Sequence, residues 1–192
     1  MAQPLKKKEY YTKQEYLEME SLAEYKSEYY NGEIFAMSGG SPKHSTICFN
    51  MIRELGEAIY TKDCTGFESN MKLEIAEADA FVYPDAMVVC GEVELAGHTN
   101  DVITNPVLIV EVLSPGTESF DRGKKFEYYR NISSLKEYVI VSQNEPMVES
   151  YFKQDKNTWI YMVAQGLDKT IIFKSLEYEI VLEKIYHKVP FV

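Results

Sequence analysis

The sequence predicts a mixed α/β or α+β domain, a mixed β-sheet flanked by helices with a β-rich C-terminal part. Residues 107–113 form an apolar strand, residues 118–131 a helix, and residues 137–142 a further strand. That order implies two parallel neighbours joined by a right-handed crossover. Asn31-Gly32, set between strand-forming residues, signals a tight hairpin. Residues 65–91 offer two strands with only the turn Glu77-Ala78-Asp79 between them, which fits poorly with an all-parallel doubly wound sheet.

Residues 1–11 read as a flexible tail, with Lys6-Lys7-Lys8 a solvated charge run, and residues 12–192 as a single domain. Thr12 and Glu15 match a capping box and start a helix over 13–26, with Tyr16, Leu17, Met19 and Leu22 on its apolar face. The hairpin occupies 28–37, and residues 38–43 form a loop. Ser41 caps a helix whose first residue is Pro42. Its Ile47, Phe49, Met51, Ile52, Leu55 and Ile59 are expected to pack on a sheet. Residues 65–76 read as one strand, with Met71, Leu73 and Ile75 alternating against Lys72, Glu74 and Ala76. A second strand covers 81–90 and a polar loop 91–105. The strand at 107–113 is apolar on both faces, as in a central strand covered by helices. Strands at 147–153 and 158–164 meet around 155–157, residues 170–173 form a short strand, and 180–186 a closing helix.

A chain of 192 residues, 45% hydrophobic and 13% aromatic, is large enough for one globular core. Its net charge of −10 argues against a protein that coats DNA through charge. An enzyme whose site turns positive when metal binds remains open. Cys48, Cys64 and Cys90 are odd in number, far apart and without CxxC spacing, so neither a zinc ribbon nor a disulfide framework is expected. The polar start carries no signal-peptide pattern, and no apolar run approaches the roughly 20 residues that cross a bilayer. A soluble cytoplasmic protein without membrane contact is the expectation.

The chemistry concentrates where carboxylates interrupt apolar strands. Asp85 follows Pro84, which cannot donate to a sheet ladder and so marks a strand's start or edge. Alone, Asp85 reads as a surface strand cap. Glu111 lies on the face of Val107, Ile109 and Leu113, where a carboxylate is costly unless a cation or metal meets it. Asp121 and Lys125, four apart on a helix, read alone as a surface pair worth about 0.3–0.5 kcal/mol. Taken together, Asp85, Glu111 and Lys125 describe a Mg2+ (or Mn2+) site handling phosphates. Lysine there can orient water or stabilise the transition state.

Several motifs occur in order: Tyr25 to Glu33, Pro42-Lys43-His44, Val82-Tyr83-Pro84-Asp85-Ala86-Met87-Val88-Val89, Glu111-Val112-Leu113-Ser114-Pro115-Gly116-Thr117, Asp121-Arg122-Gly123-Lys124-Lys125, Tyr129 and Glu137 to Val141. Their succession resembles the Uma2 family (formerly DUF820) of the PD-(D/E)xK superfamily, which has a restriction-endonuclease-like fold. The resemblance implies a catalytic core of Asp85, Glu111 and a lysine. Leu113 stands where the superfamily's simplest pattern has that lysine, so the role passes to Lys125 on the next helix. Lys124 ranks second, because it points about 100° away. Glu28 is implied as a further carboxylate, and Glu33 is expected to be exposed. His44 reads equally as a residue near the site and as a surface or capping histidine; His98 and His187 read as surface residues. Asp121 and Tyr129 are further candidates at the site. Ser114 has no nucleophile-elbow context, and some of the 15 tyrosines could stack bases. The implied function is a metal-dependent endonuclease acting on DNA, working as a homodimer. Two alternatives stay open: an inactive dimeric interaction module of the same fold, and a metal-dependent hydrolase of small phosphorylated molecules.

Overall fold

The apolar strand expected near residue 110 is β8 (Leu108–Val112), and it lies inside a six-stranded sheet with all its residues buried. The computed structural model describes residues 10–37, 39–97 and 99–191. Across the sheet the order is β11 (Trp159–Gln165), β10 (Met147–Lys153), β9 (Glu137–Val141), β8, β6 (Ala86–Cys90) and β3 (Cys64–Glu68). β8 and β9 run parallel, with Leu108 opposite Glu137 and Val112 opposite Val141. The other pairs in this sheet are antiparallel. The helical segment between β8 and β9 supplies the crossover that a parallel pair needs.

A five-stranded sheet runs β2 (Glu33–Ala36), β1 (Ser27–Tyr30), β5 (Ala80–Val82), β4 (Lys72–Ile75) and β7 (Val102–Ile103). β12 (Thr170–Phe173) and β13 (Tyr178–Val181) form a separate pair. One core cluster packs α2 (Pro42–Ile59), through Ile47, Met51 and Leu55, against Val88, Leu108, Val110 and Val139. The same cluster takes in Ile171, Ile180 and α5 (Leu182–Ile185). The opposite sheet face, with Met87, Ile109, Leu113 and Ile140, packs on Leu73, Ile75 and Val82 of the smaller sheet and on Tyr129. Side chains alternating along β6 and β8 thus feed two separate cores.

The mixed sheets flanked by helices and the β-rich C-terminal part match the expected fold class, and several elements differ in detail. Residues 65–76 do not form one strand. They split into β3 and β4, which belong to different sheets. The strand expected over 81–90 likewise breaks at Tyr83-Pro84-Asp85 into β5 and β6. Pro84 lacks a ladder donor, and there the chain leaves one sheet for the other. Within the expected polar loop, β7 pairs parallel with β4. The expected closing helix begins as β13, and only Leu182–Ile185 is helical.

α1 (Lys13–Leu22) has the expected capping box and ends earlier than predicted. The Glu20 carboxylate accepts from the Ser27 N–H (3.0 Å) and hydroxyl (2.5 Å), which draws the chain into β1. Tyr16 is the buried residue of α1; it stacks on Tyr29 and Phe81 and donates to the Ser27 carbonyl at 2.6 Å. Phe49 and Ile52 face outward instead of packing on the sheet. Cys64 and Cys90 stand directly opposite each other across β3 and β6 and form a disulfide, correcting the expectation of none. Most of the expected tail, with Lys6 to Lys8, lies outside the described residues, as does His98. Tyr11, at the tail's end, donates its N–H to the Gly32 carbonyl at 2.8 Å. Among the described residues, no helix is long and apolar enough to cross a membrane.

The β1–β2 hairpin turns on Asn31 (φ 46°) and Gly32 (φ 90°), a geometry that favours glycine. A Cβ at residue 32 would meet the Tyr10 ring at 2.7 Å. Gly32→Ala is expected to destabilise the fold by about 1–2 kcal/mol, read as a lower Tm in a thermal melt. An unchanged Tm would show that the hairpin tolerates a side chain there.

Candidate active site

Strand register brings the first two carboxylates together. In the β6–β8 pair Ala86 faces Val110, and continuing that register by one residue sets Asp85 opposite Glu111. The Asp85 carboxylate accepts the Val112 N–H at 2.8 Å, which pins it to the end of β8. Glu28 comes from β1 of the other sheet, where its Oε1 accepts the Tyr83 N–H at 3.3 Å. The break at Pro84 therefore places both sheets' carboxylates beside one another.

The helix after β8 delivers the cation. It consists of α3 (Glu118–Phe120), a π-helical turn (Asp121–Lys125) and α4 (Phe126–Tyr129). Such turns are rare and occur often at functional sites. Here the turn buries both Asp121 and Lys125. Lys125 Nζ lies 2.9 Å from Glu111 Oε1, 3.4 Å from Asp121 Oδ1 and 3.5 Å from Glu28 Oε1. Tyr129 donates to Glu111 Oε1 at 2.6 Å.

Of the residues singled out in the sequence, Glu28, Asp85, Glu111, Asp121, Lys125 and Tyr129 meet here. His44 meets them too: its Nε2 lies 3.3 Å from Asp85 Oδ2. The Ser41 hydroxyl accepts the His44 N–H at 3.1 Å, fixing the first turn of α2. Lys124 does not meet them. It is exposed, pairs with Glu127 at 3.0 Å and covers the Tyr128 ring. Glu33 and His187 are exposed. Tyr30 escaped the sequence reading, yet it donates to Glu28 Oε2 at 2.8 Å. Its place two residues after Glu28, on the same strand face, was the available signal.

The site carries more negative than positive charge. Three carboxylates (Glu28, Glu111, Asp121) surround the Lys125 ammonium, and Asp85 lies beside His44 in the same cleft. Burial pushes the Glu111 carboxyl up to about 8; Lys125 opposes this, while Asp121, Asp85 and Glu28 add to it. Burial also raises Asp121, again against Lys125. For Lys125, burial acts downward, but Glu111, Glu28 and Asp121 outweigh it and hold the ammonium protonated well above its usual range. The hydrogen bond to Asp85 raises His44 against burial. Asp121 Oδ1 is buried and is met by the Lys125 ammonium at 3.4 Å without a further hydrogen bond. Carboxylates in excess of the one lysine are the oxygen donors that a hard divalent cation takes.

The cluster opens into a cleft of about 1420 Å3. Tyr25, Phe35 and Phe49 on its wall are exposed apolar groups beside the charged centre. Lys26 and Lys125 are its lining lysines.

The strand order, the parallel β8–β9 pair and the helix between them define a mixed α+β domain of the restriction-endonuclease-like fold. The chain belongs to the Uma2 family, whose model, described as "Putative restriction endonuclease", matches residues 13–183. Two proteins of Synechocystis sp. are similar to it. "Uncharacterized protein sll1609" is 37% identical over 166 residues, covering 86% of this chain and 94% of its own. "Uncharacterized protein slr1290" is 33% identical over 178 residues, covering 93% and 92%. A crystal structure from Anabaena variabilis ATCC 29413, described as a "putative nuclease belonging to DUF820", shares the fold. Its TM-score is 0.74 at 18% identity, covering 92% of this chain and 97% of that one.

A carboxyl held above its unfolded value binds its proton more tightly in the native state, so stability falls as pH rises through it. Glu111 and Asp121 act in this direction, and so does the raised imidazole of His44. Lys125 stays charged throughout and adds no slope. Without divalent cations, Tm is expected to fall between about pH 5 and about pH 8. Glu111→Gln is expected to flatten that fall, leaving the part due to Asp121 and His44. Melts across this range with the same slope in both proteins would remove Glu111 from the account.

Proposed function

We propose that this chain is a metal-dependent endonuclease that hydrolyses phosphodiester bonds, with DNA as substrate and Mg2+ or Mn2+ as its ion. The observation that carries the reading is the junction of β6 and β8, where Asp85 accepts the Val112 N–H at 2.8 Å and Lys125 Nζ lies 2.9 Å from the adjacent Glu111. Membership of the family whose model is described as "Putative restriction endonuclease" supports it.

Asp85 and Glu111 would hold the ion, with Glu28 and Asp121 as neighbouring oxygen donors. When bound, such an ion neutralises phosphate charge and lowers the pKa of water. The Val112 N–H fixes Asp85, and the Tyr129 hydroxyl fixes Glu111. Lys125, held protonated by its three carboxylates, presents positive charge to a phosphate and orients the attacking water. Tyr25, Phe35 and Phe49 offer rings on which bases can stack. Cutting both strands calls for two sites related by symmetry. The β11 edge of the six-stranded sheet, with Tyr161 and Val163 exposed, is the surface we assign to a second copy.

Asp85→Asn, Glu111→Gln and Lys125→Met are each expected to reduce Mn2+-dependent cleavage of plasmid DNA by about 10²-fold or more, with circular dichroism unchanged. Cleavage that survives in all three, after removal of contaminating nuclease, defeats the assignment. The chain's net charge of −10 favours one rival, a non-catalytic module of the same fold. Calorimetric titration decides between them: carboxylate-dependent binding of Mn2+ supports the enzyme, and no heat of binding supports the module.

A further inference from the structure

Asp85 has a second set of neighbours, on α2. His44 and Cys48 stand one turn apart on α2, on the same helix face. One donor atom from each of His44, Cys48 and Asp85 lies within 4.8 Å of the other two. Cys48 Sγ is 3.5 Å from His44 Nδ1, and His44 Nε2 is 3.3 Å from Asp85 Oδ2. The three line the same open cleft, so an ion can reach them from solvent. Cys48 is the free cysteine, because Cys64 and Cys90 are joined.

We propose that His44, Cys48 and Asp85 form a site for a thiophilic transition ion, Zn2+ foremost, distinct in chemistry from the all-oxygen group around Glu111. Nitrogen, sulfur and one carboxylate oxygen form a donor set preferred by zinc and disfavoured by magnesium. Bond lengths of about 2.0–2.3 Å require the donors to close on the ion by about 1 Å, within reach of side-chain rotation. On binding, the Cys48 thiol and any protonated His44 imidazole lose a proton to solvent, and the thiolate and neutral imidazole donate to the ion. Water fills the fourth position, on the cleft side.

Shared use of Asp85 has a consequence that rests on the nuclease reading. An ion held by His44 and Cys48 withdraws Asp85 from the carboxylate pair, so Zn2+ competes with Mn2+ for it.

The binding is tested without reference to cleavage. In the wild-type protein, Zn2+ is expected to slow alkylation of Cys48 by iodoacetamide by about tenfold or more. Co2+, used as a coloured probe, is expected to give a thiolate-to-metal absorption band that Cys48→Ser loses. His44→Ala is expected to weaken Co2+ binding by about tenfold or more. Alkylation unaffected by Zn2+, or a band that persists in Cys48→Ser, overturns the site; the wild-type alkylation result stands even if a variant fails to fold. Competition is read separately: the Zn2+ concentration that halves Mn2+-dependent cleavage should rise about tenfold in Cys48→Ser. Equal inhibition of both proteins overturns the sharing of Asp85. Protection of Cys48 with no cleavage in any protein leaves the zinc site intact and removes the nuclease reading.

Discussion

An ammonium group shut away from water must be met by negative charge, and the arrangement around Lys125 follows from that requirement. Its Nζ sits among Glu111, Asp121 and Glu28, and Lys125 and Glu111 are both buried. Desolvating one such ion costs several kcal/mol, and breaking a buried pair by removing one member costs about 3–5 kcal/mol. The pair therefore adds little net stability while making each partner dependent on the other. It also ties three elements together: β8 through Glu111, the π-helical turn through Asp121 and Lys125, and β1 through Glu28.

That knot works only because the chain changes sheets at Pro84. β5 ends in the smaller sheet, β6 begins in the larger one, and Asp85 lies at the transfer. A continuous strand over 81–90 would have kept β1, and Glu28 with it, in the same sheet as β6. Tyrosines then hold the acids in orientation, Tyr30 on Glu28 and Tyr129 on Glu111. Their hydroxyls remain donors, since burial pushes both pKa values upward.

Local chemistry made part of this legible in the sequence. Glu111 stood out as a carboxylate in an apolar run, Asn31-Gly32 as a turn, and Ser41-Pro42 as a helix start. These signals depend on a few adjacent residues. What stayed hidden depends on partners far along the chain. Residues 65–76 alternate as one strand would, and nothing local says that 64–68 and 72–75 belong to different sheets. The Cys64–Cys90 pairing follows from the β3–β6 register, across 26 residues of sequence. Phe49 and Ile52 carried the apolar signature of a core-facing helix, yet they lie on the cleft side. The π-helical turn left no mark because its residues suit an α-helix equally well.

The acidic balance of the chain acquires a physical meaning at the site. Carboxylates that outnumber cations repel a phosphate and attract a cation, so an anionic substrate becomes acceptable only after charge has been added. A protein with a basic cleft would hold nucleic acid continuously and tightly through the phosphates alone. On the proposed reading, affinity for a phosphodiester is tied to the bound ion, and the apolar rings on the wall give contact that does not depend on charge. Under the proposed reading, Asp85 is the point at which this dependence is adjustable. Its carboxylate accepts the N–H of Val112, the residue after Glu111, and lies beside His44 and Cys48 of α2. Under the two proposals, the ion that Asp85 holds would decide whether the cleft attracts a phosphate in a reactive arrangement or holds its carboxylate elsewhere.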